Sequence, residues 1–315
     1  MITGNNRGFA LLVVIMVLLL ASFLASQLSL DVRTEQRLAA NAKERYRAAI
    51  LAEAGFNIAL FRVMDKPIDL EAESEYGRLV PGRQYIHPLK GGQVKYHAVN
   101  ESGKIDLNAG DPKLLELFLQ YRKLSLMQAT VVLDALQDWR DPDNLLRLNG
   151  AEQEYYMNLP APYIPRNGRI EDPGEFFLLR GVEVLAGEFQ AAEVFTVHNP
   201  EKGINVNSLT PTMLDFIVEG DESRQQAYYE ARQLQTTLNA AMVRQIIGER
   251  RFVELEPYLR YEEGMASLFY TITATGRAVG QDGAEKQDAA GLTINSLVRV
   301  LANGYQILSW RERYS

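Results

Sequence analysis

Asp138, Asp141 and Asp143 fall within six residues, and Glu152 follows just after Gly150-Ala151. Carboxylates at this density are the ligands of a hard cation such as Ca²⁺, which takes about six to eight oxygens from carboxylates, carbonyls and water. The spacing does not match an EF-hand loop. A solvated acidic loop that caps its neighbouring helices accounts for the same residues. Paired carboxylates such as Glu152 and Glu154 can also do acid–base work, which would suit a membrane-anchored hydrolase. No nucleophile, base and orienting group converge in the sequence, however. His87, His97 and His198 are far apart and lack the spacing of a zinc site. The absence of cysteine excludes disulfides, thiolate metal sites and a cysteine nucleophile.

A second set of residues points to phosphate. Leu178-Leu179-Arg180-Gly181-Val182 has the outline of a helix-hairpin-helix turn, whose backbone N–H groups can hold a DNA phosphate. This turn has one glycine, and the chain carries a formal net charge of −7. An acidic surface repels a phosphate backbone, so nucleic acid is not expected as a partner.

These residues need elements to hold them. With 315 residues, 47% hydrophobic and 23% charged, the chain can bury a core and has room for two folded units. Phe9 to Leu30 carries no charge, and as a helix it is roughly 33 Å long, enough to cross a membrane. Apolar residues then continue at helical spacing through Leu38, Ala42, Tyr46, Ala49, Phe56, Leu60 and Val63, up to a stop at Pro67. Gly55 reads equally as a packing contact or a weak point. Tyr85–Leu89 and Val94–Val99 flank Gly91-Gly92 as a β-hairpin. Strand patterns return only at Leu268–Val279, Gly291–Leu301 and Tyr305–Trp310.

The stretch between reads as helical and contains an internal repeat. Gly103 opens GKIDLNAGDPKLLELFL and Gly203 opens GINVNSLTPTMLDFIV. Ile105, Asn108, Pro112 and Leu115 recur as Ile204, Asn207, Pro211 and Leu214, at a constant offset of 99 residues. Asp111-Pro112 and Thr210-Pro211 each place an N-cap residue before proline at the first helical position. The expected class is therefore α+β: a long N-terminal helix on an antiparallel sheet, with a large, mostly helical insertion. Residues 1–8 form a leader, 9–30 a transmembrane helix, 31–99 and 268–315 the helix-and-sheet domain, and 100–267 the insertion.

The junction Arg7-Gly8-Phe9 resembles a prepilin peptidase site. That resemblance implies cleavage between Gly8 and Phe9, retention of the apolar helix and N-methylation of Phe9. Pilins and pseudopilins mostly carry a glutamate as the fifth residue after the cut; here it is Val13. The 137–182 segment adds Asp138-Trp139, the spaced aspartates, Gly150-Ala151-Glu152, Tyr155-Tyr156, a proline-rich turn and Arg180-Gly181. With the junction, the missing glutamate and the two repeats, the chain resembles the minor pseudopilin K family of type II secretion. The family implies a pilin-like domain with SAM-like or helix-hairpin-helix-like repeats in the insertion. It implies calcium on the helical part, for which Asp138, Asp141, Asp143 and Glu152 are the candidate ligands. It implies a non-enzymatic subunit, single-pass in the bacterial inner membrane with its soluble part in the periplasm, at the tip of the pseudopilus and helping to start its assembly. The implied partners are minor pseudopilins I and J, the prepilin peptidase and other secretion components.

Overall fold

A single helix, α1 (Asn6–Met64), runs about 88 Å through the N-terminal part of this computed structural model. The structure describes residues 6–64, 79–80, 82–199, 202–234, 237–262, 268–278 and 291–314, and the backbone alone for 6–10. Residues 1–5 of the leader and the side-chain surroundings of Gly8 and Phe9 thus lie outside the described residues. From Leu11 the helix is apolar and long enough to cross a membrane, and its residues are exposed down to position 43.

The second half of α1 packs on a five-stranded sheet ordered β1-β2-β7-β8-β9, antiparallel throughout. Its strands are β1 (Tyr85–Leu89), β2 (Gly92–Asn100), β7 (Phe269–Ala278), β8 (Gly291–Leu301) and β9 (Gly304–Tyr314). The hairpin turns at Lys90-Gly91, so Gly92 belongs to β2. β9 runs on past Trp310, because its pairing with β8 continues to Leu292↔Tyr314.

The buried face of α1 is Ala48, Leu51, Ala52, Phe56, Ala59, Leu60 and Val63. Leu38 and Tyr46, expected on that face, are exposed: the sheet begins below residue 48, and it selects a stripe of small residues. Gly55 is a packing contact, since a Cβ there would sit 3.1 Å from Val94 Cβ and 3.4 Å from Ala274 Cβ. Opposite, a Cβ on Gly276 would collide with the Ala48 carbonyl and the Ala52 amide, and would lie 2.7 Å from Leu51 Cβ. Ala48 and Ala52 thus lie at Gly276, Gly55 at Val94, and Arg62 donates to the Tyr96 hydroxyl at 2.9 Å. β2 therefore runs in the direction of α1, and its last residue, Asn100, leaves the sheet at the end farthest from the apolar run.

The chain between Asn100 and β7 folds around its own core. It holds β3 (Ile105–Asp106), α2 (Pro112–Tyr121), α3 (Leu126–Arg140), α4 (Gln153–Met157), α5 (Ala191–Val194), β4 (Phe195–Thr196), β5 (Ile204–Asn205), α6 (Pro211–Ile217), α7 (Glu222–Leu234), α8 (Ala240–Ile247), α9 (Glu249–Leu255) and β6 (Leu259–Arg260). The two repeats take the same local structure. β3 pairs parallel with β4, and β5 pairs parallel with β6. Asn108 clamps the backbone of Ile170, accepting at 2.9 Å and donating at 3.0 Å. Asn207 clamps Leu238 in the same way, at 2.7 and 3.1 Å. Asp111 and Thr210 cap α2 and α6 as expected, accepting from the backbone of Lys113 and Met213.

Overpacking at Gly276 is expected to lift α1 off the sheet. Gly276→Ala should cost about 1–3 kcal/mol and lower the thermal midpoint, whereas exposed Leu38→Ala should stay within about 0.5 kcal/mol of the parent. Equal midpoints for the two variants would refute the close seat.

Candidate metal centre

α3 starts from a capping box between Ser125 and Gln128, and it carries Asp134 and Asp138 one turn apart. Asp141 is its C-cap residue. The chain then loops to Gly150, where a Cβ would collide with the Asp138 carboxylate. Only glycine lets the backbone pass this close to a charged oxygen. Glu152 is the N-cap residue of α4, but its side chain makes no capping bond.

This path brings Asp141, Asp143 and Glu152 together, each offering a carboxylate oxygen within 4.8 Å of the others. Asp138 stands outside that trio. It is fully buried, and its Oδ2 accepts from the Arg147 backbone at 3.3 Å. Arg147 Nε lies 3.3 Å from Asp138 Oδ1 and its Nη2 lies 3.9 Å from Asp141 Oδ2. The Nε approach is off hydrogen-bond geometry, so Asp138 Oδ1 has no hydrogen bond; Asp141 Oδ1 and both oxygens of Glu152 are likewise buried without one among the described residues. A carboxylate pair left this way is costly unless a proton or a cation completes it. The donor set fits a hard divalent cation.

The electrostatics agree. Burial pushes the Glu152 carboxyl up to about 7, helped by the charges of Asp138, Asp141 and Asp143. Burial also raises the Asp138 carboxyl, with Asp141 adding to the effect against the backbone bond from Arg147. Spacing gave no hint of Asn167. Its Nδ2 donates to the Asp143 carbonyl at 3.1 Å and to Asn144 Oδ1 at 3.0 Å, and its own Oδ1 is buried without a partner among the described residues. In the sequence Asn167-Gly168 reads as an ordinary turn.

The residues singled out for other chemistries are placed apart from this cluster or turned into the core. Glu154 is exposed while Glu152 is buried, so the two do not converge. The 178–182 turn lies against Val131 and Val132 of α3. Arg180 points inward, donating to the Gly150 carbonyl at 2.8 Å and stacking 5.0 Å from the Tyr155 ring centre. Trp139 and Tyr156 pack edge-to-face at 5.2 Å in the core beneath the loop.

Glu152 sets the pH response of the metal-free chain. Between its ordinary value of 4.5 and its folded value of about 7, the folded state binds more protons than the unfolded state. Stability therefore falls as pH rises through that window. Glu152→Gln is expected to flatten the fall and to raise metal-free stability at about pH 8 by about 3 kcal/mol. Melting in chelator across pH measures it, and an unchanged slope would contradict the assignment.

Comparison with known proteins places this geometry. Residues 98–186, which include the acidic cluster, match the profile described as type II secretion system (T2SS), protein K. The chain is 25% identical over 223 residues to the type II secretion system protein K of Klebsiella pneumoniae, covering 66% of this chain and 68% of the relative. It is 25% identical over 238 residues to that of Aeromonas hydrophila, covering 68% and 70%. Its fold matches a chain of the crystal structure of the GspK-GspI-GspJ complex from the enterotoxigenic Escherichia coli type 2 secretion system. The TM-score is 0.57 at 15% identity, over 90% of this chain and 100% of the other. Profile, relatives and fold point the same way: residues 98–186 match the type II secretion system protein K profile, and about two thirds of the chain is similar to proteins of that name.

Proposed function

We propose that this chain is a minor pseudopilin: a structural subunit, not an enzyme, that sits at the tip of the periplasmic pseudopilus and helps start its assembly. The observation that carries the reading is where the helical part sits. Asn100 and Phe269 leave the sheet at the end farthest from the apolar run, so the helical part is joined to the sheet at the end on which a further subunit would have to stack. α1 supplies a single-pass anchor, exposed along its apolar run as a lipid- or helix-facing segment must be. Val13 lies in that run. A carboxylate there would cost a few kcal/mol in lipid unless a neighbour's amine paired with it, and a valine suits a subunit with no such neighbour on one side. The similar fold comes from a complex named for GspK, GspI and GspJ, which supports minor pseudopilins I and J as partners.

Calcium is the cation we assign to Asp141, Asp143 and Glu152, with Asp138 holding the loop behind them. Bound, it would offset two of the trio's three charges and tie the 141–152 loop to α4. The chain's own part is to present oxygens already desolvated and lacking other bonds.

Three measurements test this reading. Mass spectrometry of the processed chain is expected to begin at Phe9 with one added methyl; an intact Met1 terminus would exclude the pilin-type precursor. Calcium at about 100 times its Kd should stabilise the chain by about 2.7 kcal/mol, with chelator reversing it and Asp141→Ala or Asp143→Ala each blunting it. Melting indifferent to both calcium and chelator would remove the metal from the account. Labelled chain should co-purify with minor pseudopilins I and J and mark fibre ends in few copies. Uniform labelling along sheared fibres would refute the tip position.

A further inference from the structure

The sheet keeps its charge on one side. Lys95, Arg277, Arg299, Arg311 and Arg313 are the lysine and arginine residues of its strands, and register sets each of them on the face away from α1. Glu312, the one acid among these described strands, sits on the other face, across from buried Ile294. In a chain with a formal net charge of −7, such a face is a segregated basic surface. Its upper end, by the junction, is already occupied. Thr271 donates to Glu101 at 2.7 Å, Arg311 pairs with Asp172 at 2.5 Å, and Arg299 lies over the Phe269 ring at 5.6 Å. The helical part thus seats its own carboxylates on this face.

The lower end repeats that chemistry. One row across the sheet reads Lys95, Thr275, Thr293, Arg313, about 14 Å from end to end. Arg277 stands two residues further along β7, and the Thr275 and Thr293 hydroxyls share a hydrogen bond at 2.9 Å. Arg277 and Arg313 are exposed and Lys95 is half-buried, and none of the three makes an ion pair among the described residues. We propose that this lower end docks a carboxylate-bearing patch on a different, neighbouring protein, in the way the upper end takes Glu101 and Asp172. Cations at the two ends of a flat row match carboxylates spread over a protein surface, whereas a lone phosphate needs its donors converging. Arginine, weakly hydrated and always charged, suits such an interface. A helix packed on a sheet lies parallel to its plane, so the opposite face looks sideways from the α1 axis and not down it to the lipid. A second copy standing alongside would bring its own basic sheet to this height, and like charges repel. The proposal rests on charge and register, and is independent of the tip position and of the cation.

The test uses the full chain in nonionic micelles and a fluorescent oligoglutamate peptide, followed by anisotropy at low ionic strength. The net charge of the chain repels this peptide, so binding reports a segregated face. The parent is expected to bind, and to lose most of that binding when salt is raised to about 0.15 M. The triple variant Lys95→Gln, Arg277→Gln, Arg313→Gln should weaken binding about tenfold or more while keeping the parent's melting midpoint. Arg277→Gln and Arg313→Gln alone should each weaken it, which keeps the test decisive if the triple variant unfolds. The matched variant Arg33→Gln, Arg37→Gln, Lys43→Gln removes the same charge from exposed α1 and should stay within about twofold of the parent. The proposal is overturned if the parent does not bind the peptide, or if the two triple variants weaken binding alike. Equally tight binding of a DNA oligonucleotide of the same charge also overturns it, because the face would then read phosphate. So does sedimentation showing that the parent pairs with itself through Lys95, Arg277 and Arg313, since a second copy would then be the occupant.

Discussion

Ala48, Ala52, Gly55 and Ala59 form a stripe of small residues down α1, and Gly276 and Ala274 meet it from β7. Backbone lies almost on backbone there, which brings the larger Phe56, Leu60 and Val63 into the sheet's core beside the stripe. The seat also fixes direction. Because β2 runs with α1, the apolar run and the helical part must lie at opposite ends of the sheet. A shifted or reversed helix would bring the start of the insertion toward the apolar run, and the proposed tip position would lose its support.

At the other end of the sheet, polar groups make the junction. Glu101 and Lys104 are buried and paired at 2.6 Å, and Thr271 of β7 donates to the same Glu101 oxygen at 2.7 Å. Asn199 reaches across, donating to the Gly203 carbonyl at 3.0 Å and the Lys104 carbonyl at 3.2 Å, while its backbone donates to Asp106 at 2.8 Å. Two-residue ladders such as β3–β4 and β5–β6 leave many backbone groups to be satisfied by side chains. The repeated asparagines and the junction do that work. A buried ion pair of this kind adds little stability but penalises other arrangements of the two parts.

The acidic cluster inverts this logic. Glu101, Lys104, Thr271 and Asn199 have found partners in the junction, whereas Asp141 and Glu152 keep buried oxygens without one among the described residues. Folding has concentrated carboxylates where a proton or a cation is needed to relieve them. The carboxylates of this cluster also shape the loop, since Asp143 and Asp138 accept from the backbone of Leu145 and Arg147.

What the sequence alone determined was whatever depends on local order. The uncharged run of α1, strand β8 to the residue, the proline-started helices α2 and α6, and the acidic density around Asp141 all follow from neighbours along the chain. The family resemblance was legible too, because its motifs keep their order. Tertiary structure decided the rest. Which face of α1 is buried depended on a sheet whose last three strands arrive more than 200 residues later, so Leu38 and Tyr46 were misplaced by periodicity alone. The role of Asp138 depended on Gly150 closing over it, and that of Asn167 on a fold that returns it to Asp143. Which oxygens lack partners is a property of packing, and no spacing of residues along a chain records it.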